Sequence, residues 1–170
     1  MRAAHICAVV ERFDDAVELF EKLAASALTD NLLKFNAPDL LLRGALCLMA
    51  DGDLERLEDK LNEWADLDRT FAVSREFLFV CDALEVLQED PPSLDEFVRH
   101  CYNFDNVQPF DAWCLKLLRR VKEAIDERVK ELNEEAERRR IREEREAEKD
   151  RLEMERRKRM AKLMKLKKGK

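Results

Sequence analysis

Arg12-Phe13-Asp14-Asp15-Ala16-Val17-Glu18-Leu19-Phe20-Glu21-Lys22-Leu23-Ala24 is the stretch that decides the fold class. Phe13 stands at a turn, Ala16 follows three positions on, and Phe20 and Ala24 follow at four-residue steps. Such spacings put all four on one helix face. Small residues beside large ones let two helices approach closely, as in the second helix of a tetratricopeptide-like hairpin. The preceding residues 3–10 read as the end of a first helix, which gives one hairpin.

Two further pairs follow. Residues 39–49 carry Leu40, Leu41, Leu42, Ala45, Leu46, Leu48 and Met49, apolar nearly all round, and so predict a helix buried between neighbours. Asp51-Gly52-Asp53 makes the turn, with Gly52 free to take positive φ. Leu54, Leu57, Leu61 and Trp64 then form one stripe of a half-exposed helix. The third pair is expected over residues 74–88 and 93–102. Its first helix would bury Phe77, Val80, Leu84 and Leu87; its second would turn Phe97, Val98, Cys101 and Tyr102 inward. Ser93-Leu94-Asp95-Glu96 has the pattern of a capping box. Pairs recurring every 35–40 residues or so predict an all-α chain, a tetratricopeptide-like right-handed α-solenoid of helical hairpins.

A last helix is expected from Asp111, a good N-cap after Pro109-Phe110. Trp113, Leu117, Leu118, Val121 and Ile125 could pack on the solenoid. Beyond about Glu127 apolar residues thin to Val129, Leu132, Ile141 and Leu152 and keep no heptad seam. Glu and Arg/Lys at three- and four-residue spacing support a solvated helix there. A continuous helix from Ala112 to Lys168 would be about 85 Å long. The predicted organisation is a helical-repeat domain over 1–126 and an extended charged helix with a basic tail over 127–170.

Composition agrees. The 170 residues hold 3 Gly and 4 Pro, and 41% are charged, against roughly 25% in ordinary globular chains. No alternating β-branched run predicts a strand. From Val121 onward there are 19 basic and 14 acidic residues, leaving 13 basic and 24 acidic before it. An acidic body does not favour nucleic acid, whose phosphates need positive charge. The end is strongly basic: Arg156, Arg157, Lys158, Arg159, Lys162, Lys165, Lys167 and Lys168, with no acid after Arg156. Met160, Leu163, Met164 and Leu166 make a short apolar stripe within it, a pattern that suits an acidic membrane surface or acidic partner as well as a solvated tail.

Cys7, Cys47, Cys81, Cys101 and Cys114 lack C-x-x-C spacing and read as free thiols of a reducing compartment. His100-Cys101 with Cys114 lacks the paired spacing of a metal site. There is no Gly-rich phosphate loop, no G-x-S-x-G and no H-E-x-x-H, and His5 and His100 are the only histidines, so no enzyme and no cofactor is expected. No signal peptide and no run of about 18 apolar residues is present, so the expectation is a cytoplasmic chain, at most peripheral on a membrane.

Four stretches resemble the soluble NSF attachment protein (SNAP) family, above all its alpha type and its C-terminal half. Phe13 to Lys22 is similar to the family's aromatic, x, x, Ala-Ile-x-x-Tyr-Glu helix. Asn31-Leu32-Leu33-Lys34-Phe35-Asn36-Ala37 is similar to its Leu-Leu-Lys-Tyr-Ser-Ala. Leu42-Arg43 before Ala45-Leu46-Cys47 resembles Phe-Lys-Ala-Ala-Leu-Cys. Thr70-Phe71 through Ser74-Arg75-Glu76 to Phe110-Asp111-Ala112-Trp113 and Leu117-Leu118-Arg119-Arg120-Val121-Lys122 resembles Ala-Phe-x-Asp-Ser-Arg-Glu, Leu-Asp-x-Trp and Leu-Leu-Arg-Ile-Lys. The resemblance implies an adaptor that lies along the four-helix SNARE bundle through a basic concave face and recruits the NSF ATPase. It implies SNARE-binding roles for Arg75, Lys34 and Arg43. The family's N-terminal helices with their apolar loop have no counterpart here, and Pro38 stands where the family has a basic residue. The charged helix and Lys-rich end stand where the family has a short acidic tail, which leaves stimulation of NSF outside what the matched residues imply. A helical-repeat scaffold for another helix or peptide, or a nucleic-acid contact through the Arg/Lys-rich helix, are the other readings the sequence leaves open.

Overall fold

The computed structural model describes the backbone of residues 1–168 and the side chains of residues 1–160. Among these residues the chain forms α1 (Arg2–Val9), α2 (Phe13–Leu28), α3 (Ala37–Asp51), α4 (Leu54–Leu67), α5 (Arg75–Gln88), α6 (Leu94–Asp105) and α7 (Ala112–Lys168), with single 3-10 turns at Lys34–Asn36 and Phe71–Val73. It is an all-α helical solenoid, dividing into two compact units, Met1–Arg128 and Val129–Lys170.

Local chemistry sets the helix ends. Gly52 closes α3 in the left-handed region at φ 83°, its N–H bonded to the Leu48 and Met49 carbonyls. The carboxylate of Asp53 accepts the Arg56 N–H at 3.1 Å and opens α4. Ser74 accepts the Phe77 N–H at 3.1 Å and opens α5. Ser93 accepts the Glu96 N–H at 3.4 Å, while the Glu96 carboxylate is taken by Arg99 at 3.1 Å, so one arm of the capping box is made.

In the first unit α3 is the central element, buried from Leu40 to Ala50 and touching α2, α4 and α5. The α2 stripe reads as expected: Phe13, Ala16, Val17, Phe20 and Ala24 are buried. Gly44 lets α4 come close, since a Cβ there would lie 3.3 Å from Cη2 of Trp64. The indole N–H of Trp64 donates to Glu21 at 2.8 Å, so this large ring is buried without an orphan donor. Arg56 and Asp14, both in first turns, form an ion pair, and Lys60 meets Glu21 at 3.0 Å further along. Helices α2 and α4 therefore run parallel, and the connections that follow them emerge at the same end of the layer.

Two expected faces are rotated. In α5, Val80 and Leu84 are buried, but so are Phe79, Ala83 and Val86, while Phe77 and Leu87 are half-buried. The apolar run Phe77-Leu78-Phe79-Val80 has no single phase, and Phe79 is claimed by Phe104 and Phe110, with ring centroids at 4.9 and 5.5 Å. In α6, Phe97 is buried as expected and Cys101 is half-buried, but Val98 and Tyr102 are 46% and 65% exposed, and Phe104 is buried in their place. Phe97 and Phe104 are two turns apart on one face; Val98 and Tyr102 lie roughly 100–140° around the helix from it. The apolar spacing marked a broad face, of which the chain covers one side.

The start of α7 buries Cys114, Leu117, Leu118, Val121 and Ile125, with Trp113 half-buried. Ile6 and Val9 of α1, and Val10 just after it, stay exposed. In the second unit, among the described side chains, α7 is exposed apart from half-buried Val129 and Leu132, and i,i+4 pairs line it: Arg138 with Glu134 at 3.3 Å, Arg142 with Glu146 at 3.3 Å, Arg157 with Glu153 at 2.7 Å. No helix among the described residues is long and apolar enough to cross a membrane.

Candidate functional site

Arg75 is the first residue of α5, directly after its Ser74 cap. A cation there opposes the helix macrodipole, whose N-terminal end is already positive. Helix stability therefore does not account for an arginine at this position. Its side chain is exposed and makes no ion pair among the described residues; it borders a shallow depression of about 160 Å3 shared with Asp82, His100 and Asn103. The guanidinium is available to a partner.

Lys34 sits in the α2–α3 connection, where its ammonium lies 5.5 Å from the Phe35 ring centroid. Lys34, Leu32 and Phe35 are all exposed. Because the α2–α3 and α4–α5 connections emerge at one end of the layer, Lys34 and Arg75 share that end. Neither makes an ion pair among the described residues, so both cations face solvent there.

Arg43 has a different setting. It is 9% exposed, and every arm of its guanidinium is occupied. Nε donates to Asp39 at 2.9 Å, one turn earlier on α3, and a terminal nitrogen meets Asp111 at 2.8 Å. The other terminal nitrogen lies 3.4 Å from Nε2 of His5, and the group sits 5.5 Å from the Trp113 ring centroid. His5 in turn stacks on Trp113 with centroids 4.5 Å apart. Arg43 thus ties α1, α3 and the start of α7 together.

The electrostatics of that cluster follow from its partners. Burial pushes the Asp111 carboxyl up, but the Cys114 N–H and the Arg43 guanidinium outweigh it and hold it down at about 2. Burial opposes the charge on Arg43, and its two carboxylates more than restore it. His5 is held below its ordinary value by burial first and by the Arg43 charge second; Asp111 and Asp39 pull weakly the other way, and the N-terminal ammonium adds to the lowering. A neutral imidazole with a bare Nε2 is the form that accepts from Arg43. A folded-state value below 6.5 means the unfolded chain takes up the proton first as pH falls. The stabilisation from neutral His5 is therefore complete above about pH 6.5 and is lost as pH falls through 6.5 toward the folded-state value. Thermal melts should show a flat Tm from about pH 8 to 7 and a decline below about 6.5 that is reduced in His5→Phe; an equal decline in both chains would remove His5 from the account.

The remaining candidates are dispersed. His100 Nδ1 is 3.2 Å from Asp82, Cys101 lines the space between α6 and α7, and Cys114 is buried beside Arg43. Cys47 and Cys114 are buried, whereas Cys7, Cys81 and Cys101 are half-buried. Burial pushes the Cys47, Cys101 and Cys114 thiols up to about 12, so they stay protonated at neutral pH. Arg156, Arg157, Lys158 and Arg159 are exposed on α7. The side chains of Lys162, Lys165, Lys167 and Lys168, and of the Leu163, Met164 and Leu166 stripe, lie outside the described residues.

Residues 1–126 match the family model described as "Soluble NSF attachment protein, SNAP". The alpha-soluble NSF attachment protein of Vitis vinifera is 33% identical over 135 residues, covering 79% of this chain and 45% of that protein. The protein of the same name from Saccharomyces cerevisiae is 29% identical over 133 residues, 78% of this chain and 44% of its own length. That of Homo sapiens is 26% identical over 127 residues, 74% and 41% respectively. The chain therefore spans less than half the length of the relatives it matches.

Proposed function

Because this chain belongs to the soluble NSF attachment protein family, we propose that it is an adaptor for membrane fusion. It lays its helical layer along an assembled SNARE four-helix bundle, does no chemistry of its own, and offers the bundle to an NSF-type ATPase. It acts on the cytosolic face of membranes as a peripheral protein. The observation that carries this reading is the exposed Arg75 at the first position of α5, without an ion pair among the described residues and inside the family's Ser-Arg-Glu motif. Lys34, at the same end, adds a second cation toward an acidic bundle. Arg43 is assigned to holding α1, α3 and α7 together rather than to contact. The basic residues from Arg156 onward are assigned to an acidic membrane surface, where each cation contributes about 1 kcal/mol.

The test is binding of the purified chain to assembled SNARE complex and to single SNAREs, at two salt concentrations, with and without NSF and an ATP analogue. Salt-sensitive binding to the bundle alone is expected, with affinity reduced at least about tenfold in Arg75→Glu. That substitution places an acid where the helix dipole favours one, so the variant should melt no lower than the parent. Repeating the assay on vesicles with and without anionic lipid reads the basic end, whose removal should abolish the gain from anionic lipid. No binding to the bundle at low salt would sink the adaptor reading.

A further inference from the structure

We propose that the open groove between α6 and the start of α7 is a docking site for an amphipathic helix with an apolar stripe and acidic flanks. The groove lies within the first unit and is separate from Arg75 and Lys34, so the proposal does not rest on the adaptor reading.

Its shape comes from the half-covered apolar face of α6. Phe97 and Leu118 form the floor, at 2% and 6% exposure. Val98 and Tyr102 of α6 make one wall, and Leu115 of α7, 49% exposed, makes the other. The cavity is about 380 Å3 and runs from Phe97 to Asp105 on one side and Leu115 to Lys122 on the other. Each side is eight or nine residues of helix, about 12 Å, or two turns. That length takes apolar side chains at i, i+3 or i+4, and i+7 of a guest helix, the recognition mode of helix-in-groove complexes.

Charge selects the guest. Arg119 and Lys122 line the α7 side, both accessible on the helix surface, and neither makes an ion pair among the described residues. Asp105, which also borders the groove, has a carboxylate oxygen occupied by the Phe110 N–H at 2.8 Å. With two cations against one carboxylate, the charge lining the groove is positive and favours acidic flanks on the guest. The same charge disfavours the chain's own basic end. A concave floor between two helices suits a ridge of side chains and is out of reach of a flat bilayer. In an isologous dimer through this groove, two copies of Arg119 and Lys122 would be brought together, which like-charge repulsion opposes.

Two synthetic 18-residue helical peptides serve as probes. They share one Leu/Phe stripe; one has Glu flanks and the other Lys flanks, and binding to the full chain is read by fluorescence anisotropy. The Glu-flanked peptide should bind and the Lys-flanked one at least about tenfold more weakly. Tyr102→Glu with Leu115→Glu should abolish binding. Because those changes could disturb packing, a second variant, Arg119→Glu with Lys122→Glu, keeps the groove apolar and should invert the preference toward the Lys-flanked peptide. Equal binding of both peptides, binding indifferent to the charge swap, or no binding of either at millimolar concentration overturns the proposal. So does a concentration-dependent dimer that Tyr102→Glu dissolves, since the groove would then be filled by a second copy, and so does vesicle binding lost in Tyr102→Glu, which would make it a membrane contact.

Discussion

Replacing Arg43 with alanine is expected to cost the fold about 2–3 kcal/mol and to lower Tm by roughly 10 °C, without any partner present. The guanidinium is the one group that meets Asp39, Asp111 and His5 at once while lying on Trp113. Removing one partner of a fully buried ion pair costs about 3–5 kcal/mol, because the other charge is left without compensation. Here the side chains of Asp39 and Asp111 are 36% and 47% exposed, so water recovers part of that loss and the lower figure applies. Asp111 adds a pH signature. Its folded-state value of about 2, against 3.8 unfolded, gives stability that is present above 3.8 and lost as pH falls through 3.8 toward 2. In Arg43→Ala the carboxyl keeps its Cys114 N–H but loses the guanidinium, so that acid limb should flatten. Urea or thermal melts at neutral pH and near pH 3 measure both. An unchanged melt with reduced SNARE binding would return Arg43 to the contact surface.

Phe20→Ala is expected to destabilise the first unit by about 3–5 kcal/mol, the range for deleting a large aromatic side chain from a core that cannot close over the gap. Phe20 is completely buried. It packs against Trp113 and His5 with ring centroids at 5.6 and 5.8 Å, and its Cβ lies 3.8 Å from where a Cβ on Gly44 would be. The vacated space is therefore bordered by α1, α3 and α7, three elements held at fixed spacing by the Arg43 cluster, and collapse is limited. Phe20→Leu should cost about 1–1.5 kcal/mol, because most of the volume is kept. A domain has only about 5–15 kcal/mol to lose, so Phe20→Ala should unfold within the range of ordinary denaturant titrations. Equal midpoints for the alanine and leucine variants would mean that the site repacks.

Both predictions concern residues that the sequence treats unequally. Phe20 is legible: Phe13, Ala16, Phe20 and Ala24 repeat at helical spacing, and spacing along one helix is enough to mark a buried stripe. The role of Arg43 is not. Asp39 is one turn away, but Asp111, Trp113 and His5 come from distant parts of the chain, and no periodicity connects them. The SNAP resemblance implied a surface contact for Arg43 from its motif alone. The fold surrounds it with two carboxylates and a ring. Arg75 lies between these cases, since the Ser74 cap fixes its place at a helix start while its freedom from ion pairs appears only once the neighbouring helices are in position.

The sequence by itself determined the elements: seven helices among the described residues, their starts at Asp53, Ser74, Ser93 and Asp111, the left-handed stop at Gly52, and the membership of the family that residues 1–126 match. These are local matters, governed by hydrogen bonds and contacts within a turn or so of chain. The tertiary structure decided what is left uncovered. Helical spacing placed Phe97, Val98, Cys101 and Tyr102 on one broad apolar face, but a face is buried only where another element meets it. Helix α5 and Phe110 meet the Phe104 side and leave Val98 and Tyr102 open beside Leu115. Which side is met depends on crossing geometry between distant segments, and that is set by side-chain packing throughout the first unit rather than by the pattern of any one helix.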